Sequence, residues 1–305
     1  MQPAYIISAY KRPDLLIRLV NSLRGNKIAI HVDRKSKIFD IVNAEIGSIP
    51  DVTFLPRHVC YWGLFGHVKA SLEGISWFRQ TSCDYAILLT GQCYPVKPQH
   101  EIAKDLNDLK GRSIIEMSSF PRAEWLQDDG GYNRLDRFYF NAENQSGNRF
   151  NPLNRLNFRV GSHGRLRRIK IWTRKPPLNL HPYGGSGYWC LSRNCIDYVL
   201  NFINSNPEVV RFFSTTFVPD EMFFQTILAN SSCKAELINS TIHYTDWSNG
   251  GANPAVLSTD MIQTAVASGA WFARKFEDVN VLDAIDELRE KGNKTFPNSP
   301  WREKI

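Results

Sequence analysis

The chain has 305 residues, 43% hydrophobic, 12% aromatic and 22% charged, which supports a sizeable core and excludes disordered, collagen-like and low-complexity classes. Its 37 Lys and Arg against 30 Asp and Glu leave a formal charge of +7, a balance suited to an anionic partner such as nucleic acid, a lipid surface or a phosphorylated substrate. No apolar run approaches the roughly 20 residues that cross a bilayer, and Met1 lies too near the first expected strand for a signal-peptide pattern.

The first hundred residues alternate strand and helix patterns. Ala4 to Ser8 is an apolar strand, and Pro13 with Asp14 opens a helix whose inward face is Leu15, Leu16, Leu19, Val20 and Leu23, closed by Gly25. Ile28 to Val32 follows as a second strand, so a right-handed βαβ unit places both strand ends on one edge of a parallel sheet. Open α/β sheets bind nucleotides at that edge. Val52 to Leu55 reads as a third strand, Gly66 to Phe78 as a helix, and Tyr85 to Thr90 as a buried strand running into Gly91-Gln92-Cys93-Tyr94-Pro95.

Beyond residue 120 the periodicity weakens, and long loops are expected through residue 182. Nine Lys or Arg lie between Arg149 and Lys175, and no Asp or Glu occurs from Asn144 to Ile196. Such a stretch suits anionic lipid or a phosphate-lined flap of a site; no nucleic-acid-binding module accompanies it. Tyr188 to Leu191 predicts a short strand leading into a helix with Ile196, Val199 and Leu200 inward. Pro219-Asp220-Glu221 opens an apolar helix, and further helices are expected near 259 to 276 and 280 to 291. With no repeat and no linker, one domain over 1–305 is expected. The six cysteines are too sparse for a disulfide scaffold and lack zinc spacing, which fits reduced cytosolic thiols.

Several residues could carry chemistry. Asp33 ends the second strand, where a carboxylate can accept from ribose hydroxyls or a base N–H; a turn-capping Asp would occupy the same place. The chain holds no Asp-x-Asp, so a bound diphosphate would need Lys, Arg or a helix N-terminus. Arg274 and Lys275, between Phe272 and Phe276 in a stretch read as helical, offer that charge, and also read as cations reaching out from a core helix. Glu221 at a helix start suits a general base or a cap, with Asp220 pointing elsewhere. Gly184-Gly185-Ser186-Gly187 permits close backbone approach, and Trp62, Tyr94, Trp125, Tyr188, Trp189 and Trp247 include candidate sugar-stacking rings.

In this order, Ala4 to Ser8, His31-Val32-Asp33, Trp62-Gly63, Leu88 to Lys97, Gly185 to Trp189, Pro219 to Phe224 and Phe272 to Glu277 resemble the core-2/I-branching enzyme family. That family comprises β-1,6-N-acetylglucosaminyltransferases and peptide O-xylosyltransferases. The resemblance implies an α/β, GT-A-like glycosyltransferase fold with a Rossmann-like nucleotide-binding half over about 1–110. An acceptor-binding and catalytic half would cover about 111–277, with a C-terminal helix and tail over 278–305. It implies metal-independent, inverting transfer of a sugar, GlcNAc or xylose, from a UDP-sugar to a saccharide hydroxyl, with Glu221 as base. Asp33 would contact uridine with Ser8 and Trp62 nearby, and Lys275 with Arg274 would hold the diphosphate. Glu116, Tyr94, Ser186, Gly187, Tyr188, Trp189, Asp220 and Trp247 would surround the acceptor.

The chain departs from the family pattern at Cys93, in place of an Asp, at Gly187, where the xylosyltransferases have an Asp, and at Ser248-Asn249, in place of a basic pair. These departures keep open a degenerate sugar- or lipid-phosphate-binding protein. Lacking the stem and disulfides of animal members, the chain resembles a bacterial-type member on the cytosolic face of a membrane, acting on a lipid-linked saccharide for surface polysaccharide.

Overall fold

The structure is a computed structural model that describes residues 1–140, 167–169, 174–250, 253–290 and 296–304. Its first half runs β1 (Pro3–Ala9), α1 (Pro13–Ser22), β2 (Lys27–Val32), α2 (Phe39–Ile46), β3 (Val52–Phe54), α3 (Gly66–Phe78), β4 (Tyr85–Thr90), β5 (Tyr94–Pro95), α4 (Gln99–Leu109), β6 (Ser113–Ile115) and β7 (Ser118–Ser119). The second half adds α5 (Tyr132–Leu135), β8 (Phe138–Phe140), β9 (Arg167–Ile169), β10 (Tyr183–Gly184), β11 (Trp189–Ser192), α6 (Arg193–Ser205), α7 (Pro207–Phe213) and α8 (Phe223–Ala229). It ends with β12 (Leu237–Ile238), β13 (His243–Thr245), α9 (Ile262–Ala267), β14 (Phe272–Arg274) and α10 (Asn280–Glu290).

Seven strands form the central sheet in the order β12-β6-β11-β4-β1-β2-β3. The β4-β1-β2-β3 block is parallel, and β11 runs antiparallel between β4 and β6. Both faces are buried under helices, so the alternating side chains of a strand enter two apolar layers. Tyr5, Ile7 and Ala9 of β1, with Tyr85, Ile87 and Leu89 of β4, join one apolar layer with Leu15, Leu16, Leu19 and Val20 of α1 and Leu282 and Ile285 of α10. Ala4, Ile6, Ala86 and Leu88 face the other layer, with Val68, Ile75 and Phe78 of α3, Ile196 and Val199 of α6, and Phe223, Phe224 and Ile227 of α8. Each fully buried Leu or Phe contributes about 1.5–3 kcal/mol relative to exposure, so these two layers carry most of the fold.

A three-stranded sheet, β13-β14-β5, stands beside the main one and bears the Arg274-Lys275 segment. This corrects the helical reading of 259 to 276. Only Thr259–Met261, in a 3-10 turn, and α9 are helical. Gly269, at φ +70°, ends the helix, and the chain re-enters as a strand between β13 and β5. Strand pairing thus overrides the helix-like spacing of Trp271, Phe272 and Phe276. The strand expected at Tyr188 to Leu191 is displaced by one residue to Trp189–Ser192. The loops expected over 120 to 182 contain α5 and an antiparallel β8-β9 pair.

Most of the basic stretch lies outside the described residues. Arg174 is described, and it is no free lipid-facing cation. Its guanidinium donates to the carbonyls of Arg137 and Phe212 and to Thr215 Oγ1, and lies over the rings of Phe138 and Phe212.

The C-terminal residues return to the core through Asp105 of α4, which is 3% exposed. Its carboxylate receives Ser299 Oγ at 2.6 Å, Trp271 Nε1 at 2.8 Å, Lys97 Nζ at 3.0 Å and Arg302 NH2 at 2.6 Å. Removing one partner of a buried ion pair strands the other charge. Asp105→Ala is therefore expected to cost about 3–5 kcal/mol, read as a lowered urea midpoint; an unchanged midpoint would contradict this account of the tail.

Candidate functional site

The carboxyl ends of β1, β2 and β4 meet at one edge of the sheet. Ser8 is in register with His31 on one side and Thr90 on the other. One residue past β2, the Asp33 amide donates to Ala9 O at 2.9 Å, which locks its position, and the Asp33 carboxylate accepts from the Lys35 amide at 2.9 Å. Lys35 Nζ stands 3.6 Å from Asp33 Oδ2 and 3.6 Å from the centre of the Tyr61 ring. Beneath them His31 is buried; desolvation, aided by His58, holds its pKa down to about 4, so it stays neutral while its Nε2 accepts from the His58 amide at 2.9 Å. Asp33 is thus both a turn-forming residue and a carboxylate at the nucleotide edge.

Across from Asp33 lie Cys60, the glycine-rich turn and Asp220, close enough for their charges to act on one another. Burial, with Asp33 and then Asp220 close enough to add to it, pushes the Cys60 thiol up to about 12. Asp220 in turn faces Gly187, and Asp220 Oδ1 is buried without a hydrogen-bond partner among the described residues. The Asp220 charge also reaches Tyr188, whose phenol is pushed up to about 12, chiefly by burial. The Arg274 guanidinium lies 4.7 Å from the centre of the Tyr188 ring.

Among the described residues the buried Arg274 Nε has no hydrogen-bond partner, and no carboxylate pairs with the guanidinium. The Cys93 thiol stands close enough to bond its side chain. A desolvated guanidinium without a counter-charge is costly and favours an arriving anion. Lys275, 17% exposed, lies 3.7 Å from Glu277 Oε1; Lys11 Nζ binds the same oxygen at 2.5 Å, and Gln92 Nε2 donates to it at 2.8 Å. Three cations therefore gather beside the strand edge, and one carboxylate is shared by two of them.

Glu221 ends a 3-10 turn, Pro219–Glu221, and is separated from α8 by Met222 at φ −135°. This corrects its placement in the first turn of the α-helix: the break turns Glu221 into the cleft while Met222, Phe223 and Phe224 sink into the core. Its carbonyl accepts from the Gly185 amide at 2.9 Å. A Cβ at Gly185 would run into the Glu116 carbonyl, so the glycine is what lets the turn approach. Burial, with Asp220 beside it, raises the Glu221 carboxyl to about 7 against the opposing charge of Arg134. One third of the side chain is still open to solvent.

On the far wall, Arg134 NH1 donates to Glu221 Oε2 at 2.7 Å and Arg134 Nε donates to Asp128 Oδ2 at 2.7 Å. Its guanidinium rests 3.8 Å over Trp125, and that of Arg122 rests 4.7 Å over the same residue. Arg122 reaches Glu116 at 3.2 Å and the Gly184 carbonyl. Glu116 thus joins the cleft. Trp125, expected as a sugar platform, instead carries two guanidiniums.

Not every expected residue lines the cleft. Tyr94 is 1% exposed and donates its hydroxyl to Asp286 of α10 at 2.9 Å. Trp189 is 1% exposed and packs on Phe224. Both are core residues, a correction of their assignment to the acceptor. Ser186 accepts from Gln225 Nε2 at its carbonyl and helps hold the glycine-rich turn. Trp62, 60% exposed, lies edge-on to Phe217 in a loop whose Gly63 carbonyl accepts from the Val218 amide, just before Glu221. Trp247, 54% exposed, follows β13, whose Thr245 is in register with Arg274. Sequence reasoning gave no role to Lys11, Arg122, Asp128, Arg134 or Glu277; they lie in loops, a 3-10 segment and the four-residue α5, too short for a periodic signal.

Fold and cleft define a class first: an α/β protein whose largely parallel sheet opens a polar, cation-rich cleft at its carboxyl edge, as nucleotide-binding sheets do. The Core-2/I-Branching enzyme family model matches residues 4–266, and the chain belongs to that family. It is 23% identical over 284 residues to Xylosyltransferase 2 of Rattus norvegicus, covering 84% of this chain and 30% of that protein. It is 24% identical over 237 residues to a Mus musculus protein, Beta-1,3-galactosyl-O-glycosyl-glycoprotein beta-1,6-N-acetylglucosaminyltransferase 4, covering 74% of this chain and 46% of the relative. The chain thus spans less than half the length of either relative. Among solved structures, S. aureus TarS 1-349 in complex with UDP aligns over 39% of this chain and 36% of that one, at 13% identity and a TM-score of 0.30, too low to carry an argument.

Proposed function

We propose that the protein is an inverting glycosyltransferase that moves a sugar, GlcNAc or xylose, from a UDP-sugar to a hydroxyl of a saccharide acceptor. Uridine would lie at the strand edge by Ser8 and Asp33, and the diphosphate by Arg274 and Lys275. The observation that carries this reading is Glu221, a carboxyl raised to about 7 by burial and by Asp220 yet open on one side, together with Arg274, which lies over Tyr188 with no carboxylate partner among the described residues, and the adjacent Lys275. The acceptor O–H would give its proton to Glu221 as the oxygen bonds to C1 of the sugar. The C1–O bond to the β-phosphate breaks, and its electron pair leaves on UDP, whose growing charge the cations stabilise.

With protein cations in that role, transfer is expected to persist in excess EDTA. Loss on chelation, restored by manganese, would overturn the metal-independent part of the reading. A lipid-linked saccharide at an anionic membrane surface suits the basic stretch of 149 to 175 as acceptor context; salt-sensitive cosedimentation with anionic but not neutral vesicles would support it.

A further inference from the structure

We infer that Arg134 is a positioning residue for Glu221: its NH1 anchors Oε2, so that Oε1 alone faces the acceptor, and Asp128 and Trp125 fix the guanidinium for that task. This rests on the reading of Glu221 as the base. Among the described residues Oε1 has no protein partner, whereas Oε2 receives Arg134 at 2.7 Å. Arg134 is itself held at two further points, by Asp128 at 2.7 Å and by the Trp125 face at 3.8 Å. A planar guanidinium gripped in this way has little rotational freedom left, so the carboxylate it holds is oriented before an acceptor arrives.

The same arrangement meters charge. Glu221 faces Asp220 from its own turn, Arg134 from α5 and Arg122 from the loop before it. The Asp220 charge and burial favour the protonated form, which is no base, while the two arginines favour the ionised form. Arg134 divides its charge between Asp128 and Glu221, and Arg122 divides its own among Glu116, Glu124 and the Gly184 carbonyl. The partly neutralised arginines leave Glu221 basic enough to take a hydroxyl proton and about half ionised near neutrality.

Two substitutions should therefore move the ionisation of Glu221 in opposite directions. Without the Arg134 cation, in Arg134→Gln, the titration midpoint rises by roughly one pH unit or more. In Asp128→Asn, Arg134 gives its full charge to Glu221 and the midpoint falls. Arg134→Lys, which keeps the charge but loses the planar stack on Trp125, should lie between wild type and Arg134→Gln. The midpoint is read directly by carbon NMR of labelled Glu in the full chain, with the Glu221 signal assigned by its loss in Glu221→Gln. The acid limb of the pH–rate profile for transfer is read in parallel.

Midpoints moving up in Arg134→Gln and down in Asp128→Asn, with the acid limb following, are the expected result. Folded variants whose midpoints stay put or move together would overturn the assignment of Arg134. Midpoints that diverge as stated while the acid limb stays fixed would uphold Arg134 and sink Glu221 as the base.

Discussion

Glu221→Gln is expected to leave UDP affinity within a few-fold and to depress sugar transfer by roughly 100- to 10,000-fold, the range for loss of a general base. Gln keeps the size of the side chain and can still accept from Arg134 at its amide oxygen, so the turn between Val218 and Met222 should survive. What it loses is the ability to take a proton. Because the Glu221 carboxyl is raised to about 7, wild-type transfer should rise with pH through that region and level off above it, as the ionised base accumulates. Asp220→Asn should lower the same midpoint, since Asp220 adds to the rise, and should reduce the rate far less than Glu221→Gln does. Progress curves for transfer and UDP titrations on one preparation separate the two effects; near-wild-type transfer by folded Glu221→Gln would remove the base assignment.

Lys275→Ala should lower turnover by roughly 100-fold or more, the scale for removing one preorganised charge partner from a developing anion. The structure adds a distinction. Lys275 and Lys11 share Glu277, so Lys275→Ala leaves that carboxylate paired with Lys11 rather than stranded, and the fold should tolerate the change. UDP binding should weaken, while binding of uridine, which has no phosphate, should not. Equal loss of uridine and UDP binding would point to damage of the sheet edge instead, and an unchanged rate would move the role to Arg274 or Lys11.

The elements legible in the sequence are those whose periodicity and burial agree. In β1 and β4 successive residues enter opposite apolar layers, and α1 shows both its Pro13 start and its Gly25 stop. Asp33 was legible for the same reason: a strand end in a βαβ unit has a known place on the edge. The segment around Arg274 misled because Phe272 and Phe276 are spaced like one helix face, whereas a long-range pairing with β13 and β5 decides its conformation. Tyr94 and Trp189 read as stacking rings from residue type and motif, and neither says which side of the backbone a ring takes.

The cluster of Arg122, Trp125, Asp128 and Arg134 was invisible for a different reason. Arg122 precedes a 3-10 segment that holds Trp125 and Asp128 and is broken by the positive φ of Asp129, and Arg134 lies in a four-residue helix. They meet Glu221 where the chain returns to them, the Phe217 amide donating to the Arg134 carbonyl at 3.0 Å, and no local pattern encodes that contact. Family resemblance singled out Glu221 as the candidate base but not the residues that hold it.

The most direct test of the account is UDP release measured across UDP-GlcNAc, UDP-xylose, UDP-galactose and UDP-glucuronate, with wild type and Lys275→Ala side by side. The account predicts release from at least one of these donors, strongest with UDP-GlcNAc or UDP-xylose, and roughly 100-fold slower in Lys275→Ala. No UDP release from any donor by folded wild-type protein that binds UDP would contradict it and leave a cleft that binds without turnover.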